Sequence, residues 1–298
     1  MVTIKTWLFV AIGVVTVFYL WTWFSLTRRR QSSGPTAPRS LDLGIGFVTN
    51  FFDTLGIGSF ATTTSMYKLL KRVRDEDIPG TLNVGHTIPV IAQAFIYIAI
   101  VEVDMTTLIS LIAASVLGMW LGAGVVARLP RRAIQIGMGV ALLVAAALTL
   151  MTIYNKQAGG GEALGLRGAS LAIGIVGSFV LGSLLALGIG SYGPCLIMIS
   201  LLGMNPIAAF PIMMGSAAFM MPTGSTRFIV KERYNLRAAL GLALGGIPAV
   251  LLAAYIVRSL DLYYVRWLVV VVVVYTALSL LRAAWRDRRI IRTQEAEA

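Results

Sequence analysis

The sequence predicts an all-α polytopic membrane protein with about seven full transmembrane helices and two further apolar elements that are broken near their middles. Three observations predict it. Of 298 residues, 57% are hydrophobic and only 13% charged, about half the charged fraction of a soluble domain. Several apolar stretches reach the roughly 20 residues that span a hydrocarbon core about 30 Å thick. The charges gather in short segments between those stretches, as expected where only loops meet water.

The elements follow in order. Residues 1–26 hold an additional N-terminal transmembrane helix with its apolar core at 7–26. Arg28, Arg29 and Arg30 follow it and no small-residue cleavage site is present, so an uncleaved helix is expected rather than a signal peptide. Residues 27–41 are basic and rich in Pro and Ser, a cytoplasmic linker. Residues 42–70 are apolar but interrupted at Leu55-Gly56-Ile57-Gly58-Ser59-Phe60. Clean spans are expected at 84–101, 106–127 and 133–153, the last closing a first repeat over 42–153. Residues 154–167 read as an extracytoplasmic loop. A second interrupted stretch, 168–204, carries Leu187-Gly188-Ile189-Gly190-Ser191-Tyr192. Spans at 207–222, 236–257 and 263–284 complete a second repeat over 168–284, and 285–298 form a cytoplasmic tail.

The shared Leu-Gly-Ile-Gly-Ser string is a weak internal repeat. In each half it is followed by a short apolar piece, a Pro-containing turn (Ile78-Pro79-Gly80, Asn205-Pro206) and three spans. Charge separates two topologies. If 42–70 crossed the membrane once, Arg128, Arg131 and Arg132 would face outside, against the positive-inside rule. If it enters, breaks at Gly56 to Ser59 and returns, every basic cluster falls inside: Lys68, Lys71, Arg72 and Arg74, then Arg128 to Arg132, then Arg227 to Arg237, then the tail. Pieces over 43–57 and 59–70 would be about 22 Å and about 18 Å long, suited to half-crossings. A re-entrant hairpin plus three spans is an odd number of crossings, so the second half is inverted. This plan, an inverted-repeat transporter with two broken, re-entrant helical hairpins, puts a solute site at mid-depth between their glycine tips. One long kinked helix over 42–70 is the competing reading.

A half-helix starting at Ser59 has backbone N–H groups without intrahelical partners, and its dipole favours an anion. The expected substrate-binding residues are Gly56, Gly58, Ser59, Thr62 and Thr63, and, in the second half, Gly188, Gly190, Ser191, Tyr192 and Cys195. Caps and packing are the alternative roles for the hydroxyls. Asp53, one turn before the break, is a rare intramembrane carboxylate; it either titrates during transport or bonds to freed backbone N–H groups. Asn50 shares its face. Asn83 and His86 begin the next helix as coupling or structural polar residues, and Gln93 lies two turns beyond His86 on the same face. Cys195 either lines the site or packs. Arg227 reads as an interfacial anchor.

The net charge of +12 is accounted for by residues flanking spans, so no nucleic-acid partner is expected. One Cys and one His leave no disulfide, no metal cluster and no Ser-His triad. No phosphate-binding G-x-x-x-x-G-K-[ST] string occurs, and no cofactor is expected. The expected partners are the lipid bilayer, a small anionic solute and protons as coupling ion; a homo-oligomer is compatible with the plan.

At Gly46-Phe47-Val48-Thr49-Asn50-Phe51-Phe52-Asp53-Thr54-Leu55-Gly56-Ile57-Gly58-Ser59 and Gly182-Ser183-Leu184-Leu185-Ala186-Leu187-Gly188-Ile189-Gly190-Ser191, the chain resembles the TauE/SafE family of sulfite exporters. That family shows a signature shaped like G-F-x-D-x-x-x-G-x-G-G-G in each half. Asp53 matches the family acid with one residue of slack, and Pro194 fits after the second copy. The triple glycine is Gly-x-Gly-Ser here, followed directly by Phe60 and Tyr192. The resemblance covers about 42–284 and leaves the first helix and linker outside. It implies a non-enzymatic secondary transporter of sulfite, a sulfonate or a related sulfur-containing or organic anion. The expected location is the bacterial inner membrane, with the C-terminus cytoplasmic and the N-terminus outside. An anion channel of similar architecture and an intramembrane enzyme remain alternatives.

Overall fold

The computed structural model describes residues 4–29, 37–56, 58–74, 77–122, 161–185 and 191–259, with individual positions between 136 and 150 and between 264 and 285, all of them helical. Among the described residues nine continuous helices follow in chain order: α1 (Ile4–Arg29), α2 (Ser40–Thr54), α3 (Ser59–Leu69), α4 (Ile78–Ile100), α5 (Met105–Leu117), α6 (Gly168–Leu185), α7 (Tyr192–Leu201), α8 (Ala209–Val230) and α9 (Leu236–Ser259). A π-helical turn, Gly118–Gly122, extends α5, and a 3₁₀ turn, Pro206–Ala208, precedes α8. Among the described residues four helices are long and apolar enough to cross a membrane: Ile4–Arg28, Ile78–Ile100, Pro206–Val230 and Leu236–Ile256. The protein is therefore all-α and membrane-embedded. The expected spans at 133–153 and 263–284, the middle of the linker (30–36), the first half of the 154–167 loop, and the tail beyond 285 lie largely or wholly outside the described residues.

Two expected turns are helical instead. Pro79 sits in the first turn of α4, where its missing N–H is no loss and its fixed φ suits the helix. Pro206 opens the 3₁₀ turn, with Asn205 Oδ1 accepting from Ile207 N at 3.0 Å.

The chain divides into two compact units. The first contains Met1–Met105 and Pro211–Ser259. In it α1 and α4 run antiparallel. Lys5 Nζ donates to Ala99 O at 3.1 Å, Phe9 and Phe95 stack at 5.7 Å, and Tyr19 donates to Val84 O at 2.9 Å. The stretch from α2 to α3 closes on itself. Ile45 near its start and Tyr67 near its end share one buried cluster with Ile78, Leu82, Ala238 and Leu242. α2 lies along α9, and glycine makes this possible: a Cβ on Gly46 would fall 2.7 Å from Gly241 O and Leu242 Cα. A Cβ on Gly245 would strike Leu43 O. Without a hydrophobic drive between helices in lipid, such small-residue contacts supply packing energy.

The second unit contains Thr106–Phe210 and Leu260–Ala298. Here α5 and α6 run side by side in the same direction. Thr107 Oγ1 accepts from Leu166 N at 2.9 Å, and a Cβ on Gly118 or Gly182 would strike Phe179 O or Ser115 O respectively. The stretch from α6 to α7 also returns on itself. Gly174 faces Leu202, Gly177 faces Met198, and Asn205 N donates to Ala163 O at 2.9 Å. Ser183 Oγ donates to Phe179 O in its own helix and to Gly118 O in the π-turn, both at 2.9 Å. Asn50 makes the same pair of bonds in the first unit, to Gly46 O (2.7 Å) and Leu242 O (3.4 Å).

Candidate functional site

α2 stops where its sequence asks it to stop. Gly56 adopts φ +93° and Gly58 φ +85°, left-handed values that disfavour any side chain with a Cβ. Gly56 N donates to Asp53 O at 2.8 Å and Leu55 N to Phe51 O at 3.3 Å, so part of the C-terminal carbonyl row is satisfied by a tightened turn. α3 then starts at Ser59. Asp53 bridges the gap: its Oδ1 accepts from Ser59 N at 2.7 Å. A carboxylate on the first N–H of a helix meets both an orphan donor and the positive end of the dipole.

α4 supplies the wall. Its residues 86, 93 and 97 recur at helical spacing and present one polar face to the break. Gln93 Nε2 donates to Asp53 Oδ2 and to Thr54 Oγ1, each at 3.0 Å. Tyr97 donates to Thr54 O at 3.0 Å. His86 spans the two limbs, with Nδ1 on Asn50 Oδ1 at 2.9 Å and Nε2 on Thr63 Oγ1 at 3.0 Å; Phe60 lies over its ring at 6.0 Å. The side chains of Asn50, Thr54, Thr63, His86 and Gln93 are fully buried, and Asp53 and Ser59 nearly so. At 1.5 Å per residue, His86 lies about 12 Å from one end of α4 and Gln93 about 10 Å from the other. The network thus sits well inside the length of the helix.

The His86 tautomer follows from its neighbours. Both bonds from Asn50 Nδ2 go to backbone carbonyls, so Asn50 presents its oxygen to the ring. An oxygen only accepts, hence Nδ1 carries the hydrogen. Neutral His86 then accepts at Nε2 from the Thr63 hydroxyl.

Gly56, Gly58, Ser59, Thr63, Asn50, Asp53 and His86 are thus brought together. Thr62 is half-buried and bonds back to Ser59 O at 2.8 Å. Asn83 stays apart, its amide donating to Pro79 O at 2.9 Å. Gly188 and Gly190 lie outside the described residues. Ser191 precedes α7, its carbonyl accepting from Cys195 N at 2.9 Å; Tyr192 is half-buried and the free Cys195 buried. No cluster of His, Cys, Asp or Glu suited to a metal occurs among the described residues. Gln93, Thr54 and Tyr97 join the network without having been singled out as site residues.

Comparison with curated proteins and with solved structures gives no match. A family model, sulfite exporter TauE/SafE, matches residues 2–149, about half of the chain. The match takes in α1, which the sequence resemblance left outside, and ends before the second glycine string. Its members are transporters, not enzymes, and the residues it covers include the whole Asn50–Asp53–His86–Gln93 network. The chain belongs to the TauE/SafE family of sulfite exporters.

Proposed function

We propose that this protein is a secondary transporter of a small anion, sulfite or a sulfonate, and that the anion is taken up at the break between α2 and α3. The observation that carries the reading is the buried start of α3. A helix N-terminus lies well inside a membrane-embedded unit, and its first N–H, on Ser59, already meets a negative group. Such a turn offers donors and a positive dipole to an oxyanion without placing a fixed cation there. Ser191, Tyr192 and Cys195, at the start of α7, are the proposed counterpart in the second repeat, together with Gly188 and Gly190.

The re-entrant reading of 42–70 draws support from helix direction. A single crossing between α1 and α4 would make those two helices parallel, and they are antiparallel. A stretch that enters and returns leaves them antiparallel. Arg28, Arg72, Arg74, Arg233 and Arg237 then share the cytoplasmic side, the N-terminus lies outside, and the tail lies in the cytoplasm of a bacterial inner membrane.

The test is uptake and efflux of labelled sulfite and of a sulfonate in proteoliposomes. Saturable flux that competes between anions is expected. Absence of saturable flux across a panel of small anions overturns the reading, and unitary conductance in planar bilayers would replace the carrier with a channel.

A further inference from the structure

We propose that Asp53 is a built-in competitor for the substrate anion, and that it leaves the start of α3 only when it gains one positive charge, a proton or a sodium ion. The inference rests on the anion reading above and assigns its coupling.

The Asp53 carboxylate is buried, and both oxygens are held by neutral donors: Ser59 N at 2.7 Å and Gln93 Nε2 at 3.0 Å. No Lys, Arg or His pairs with it among the described residues. A buried charge that lacks a partner is expensive inside a membrane, and the dipole of α3 offsets only part of it.

A second, independent observation points to the same place. Gln93 spends both amide hydrogens on Asp53 Oδ2 and Thr54 Oγ1, while its Oε1 is buried without any partner. The carboxylate therefore lacks a positive partner, and the amide bonded to it carries one unused acceptor. A proton on Asp53 answers both, since the amide can turn so that Oε1 accepts the carboxyl O–H. A sodium ion between Asp53, Thr54 and Gln93 oxygens supplies the charge and uses the same free acceptor.

The groups facing Asp53 are few. α3 offers the Ser59 N–H, and α4 offers Gln93 and the Tyr97 phenol, which is engaged with Thr54 O. His86 lies two turns back on α4, engaged with Asn50 and Thr63. α9 meets α2 here with Leu242 and Gly246, neither of which ionises. Among the described residues no ion pair reaches the carboxylate.

Coupling follows from exclusion. The donor that a substrate anion needs at the start of α3 is the one Asp53 holds. While Asp53 is negative, the anion must displace it and share the pocket with it, so like charges repel. Once Asp53 is neutralised, its grip on Ser59 N weakens and the N–H is free for the solute. Anion and cation thus occupy the pocket together, and each raises the affinity for the other.

The experiment uses the full chain. Sulfite and a sulfonate are titrated against wild-type protein in detergent across pH and sodium concentration, and flux is measured in proteoliposomes under imposed pH or sodium gradients. If the charge is a proton, apparent affinity weakens by up to about tenfold per pH unit as pH rises. If it is sodium, affinity follows sodium concentration instead. Asp53→Asn, neutral at every pH, is expected to flatten both dependences while still binding anion, its amide donating to Gln93 Oε1. Gln93→Met keeps length and removes the amide; it is expected to move the pH or sodium range of binding, which a residue that merely packs would not do. Wild-type flux and binding that ignore both cations, or an Asp53→Asn variant that keeps the dependence, overturn the inference and leave anion transport standing. Absence of any anion flux or binding by wild type overturns both. Should Asp53→Asn fail to fold, an unmoved range in Gln93→Met overturns the coupling role.

Discussion

Asp42, in the first turn of α2, and Arg72, just past α3, form an ion pair at 3.2 Å that locks the entry of the broken element to its exit. The guanidinium reaches both carboxylate oxygens, at 3.2 and 3.3 Å. The Asp42 side chain is 3% exposed and that of Arg72 17%. Removing one partner leaves the other charge poorly solvated. Asp42→Ala is expected to destabilise the protein by about 2 kcal/mol, less than a fully buried pair because Arg72 keeps some water. Thermal unfolding in detergent reads this directly. Arg72→Lys, which keeps the charge, should recover most of the loss relative to Arg72→Ala; equal losses would show that the charge pairing does not matter.

Two glycines in the same element should respond to substitution for opposite reasons. Gly46 has ordinary helical backbone but no room, since a Cβ there meets Gly241 O at 2.7 Å. Gly58 has open space around a Cβ but a φ of +85°. Gly46→Ala should therefore cost about 1–3 kcal/mol through overpacking, and Gly46→Asn more. Gly58→Ala should cost about 1–2 kcal/mol through backbone strain, and Gly58→Asn less, because Asn tolerates the left-handed region. The inverted ranking of Ala and Asn at the two sites is the outcome to measure by unfolding; the same ranking at both would contradict the backbone description.

Much of this was legible in the sequence because local chemistry decides it. Gly56 and Gly58 mark the break, since glycine takes a positive φ without strain. Asp53 stands out as a carboxylate within an apolar run, and His86 is the single histidine. Gln93 and Tyr97 did not stand out as site members. They are neutral, they are scattered along an otherwise apolar helix, and their partners Asp53 and Thr54 are distant in sequence. Asn83 stood out as a polar residue beside His86 in sequence, but its amide bonds to Pro79 O, one turn back on its own helix. The pairing of α2 with α9 was likewise hidden. It depends on Gly46 and Gly241 meeting across most of the chain, and neither glycine signals its partner locally.

Ser183 offers a test of likeness between the two broken elements. Its hydroxyl reaches an own-helix carbonyl and the carbonyl of Gly118 in the π-turn, as the Asn50 amide reaches Gly46 O and Leu242 O. Removing either group takes a second hydrogen bond from carbonyls that already accept within their own helices. Ser183→Ala should cost about 1 kcal/mol. Asn50→Ala should cost more, because it also takes the acceptor from His86 Nδ1. A Ser183→Ala loss as large as that of Asn50→Ala would mean that the π-turn depends on this one bond.

Because the chain has one histidine, the hydrogen-bond logic at His86 can be read without ambiguity. The ring is wedged between Asn50 Oδ1 and Thr63 Oγ1, and the Asn50 oxygen forces the hydrogen onto Nδ1. Nitrogen-15 spectra of protein labelled at histidine should show a neutral ring with the Nδ1–H tautomer, the less common form in water. Thr63→Val removes the donor to Nε2 and should shift the Nε2 signal toward that of a free imine nitrogen while leaving the tautomer unchanged. Asn50→Asp keeps an acceptor at Nδ1 and should preserve the tautomer; Asn50→Leu removes it and should release the ring to the Nε2–H form, with Thr63 becoming the acceptor. His86→Ala leaves Asn50 Oδ1 and the Thr63 hydroxyl buried without their ring partner and should lower stability by about 2–4 kcal/mol, one to two unsatisfied groups at the usual penalty. An Nε2–H tautomer in the wild type would reverse the chain of donors from Asn50 through His86 to Thr63, and the α3 hydroxyl would then face the break as a donor instead of spending its hydrogen on the ring.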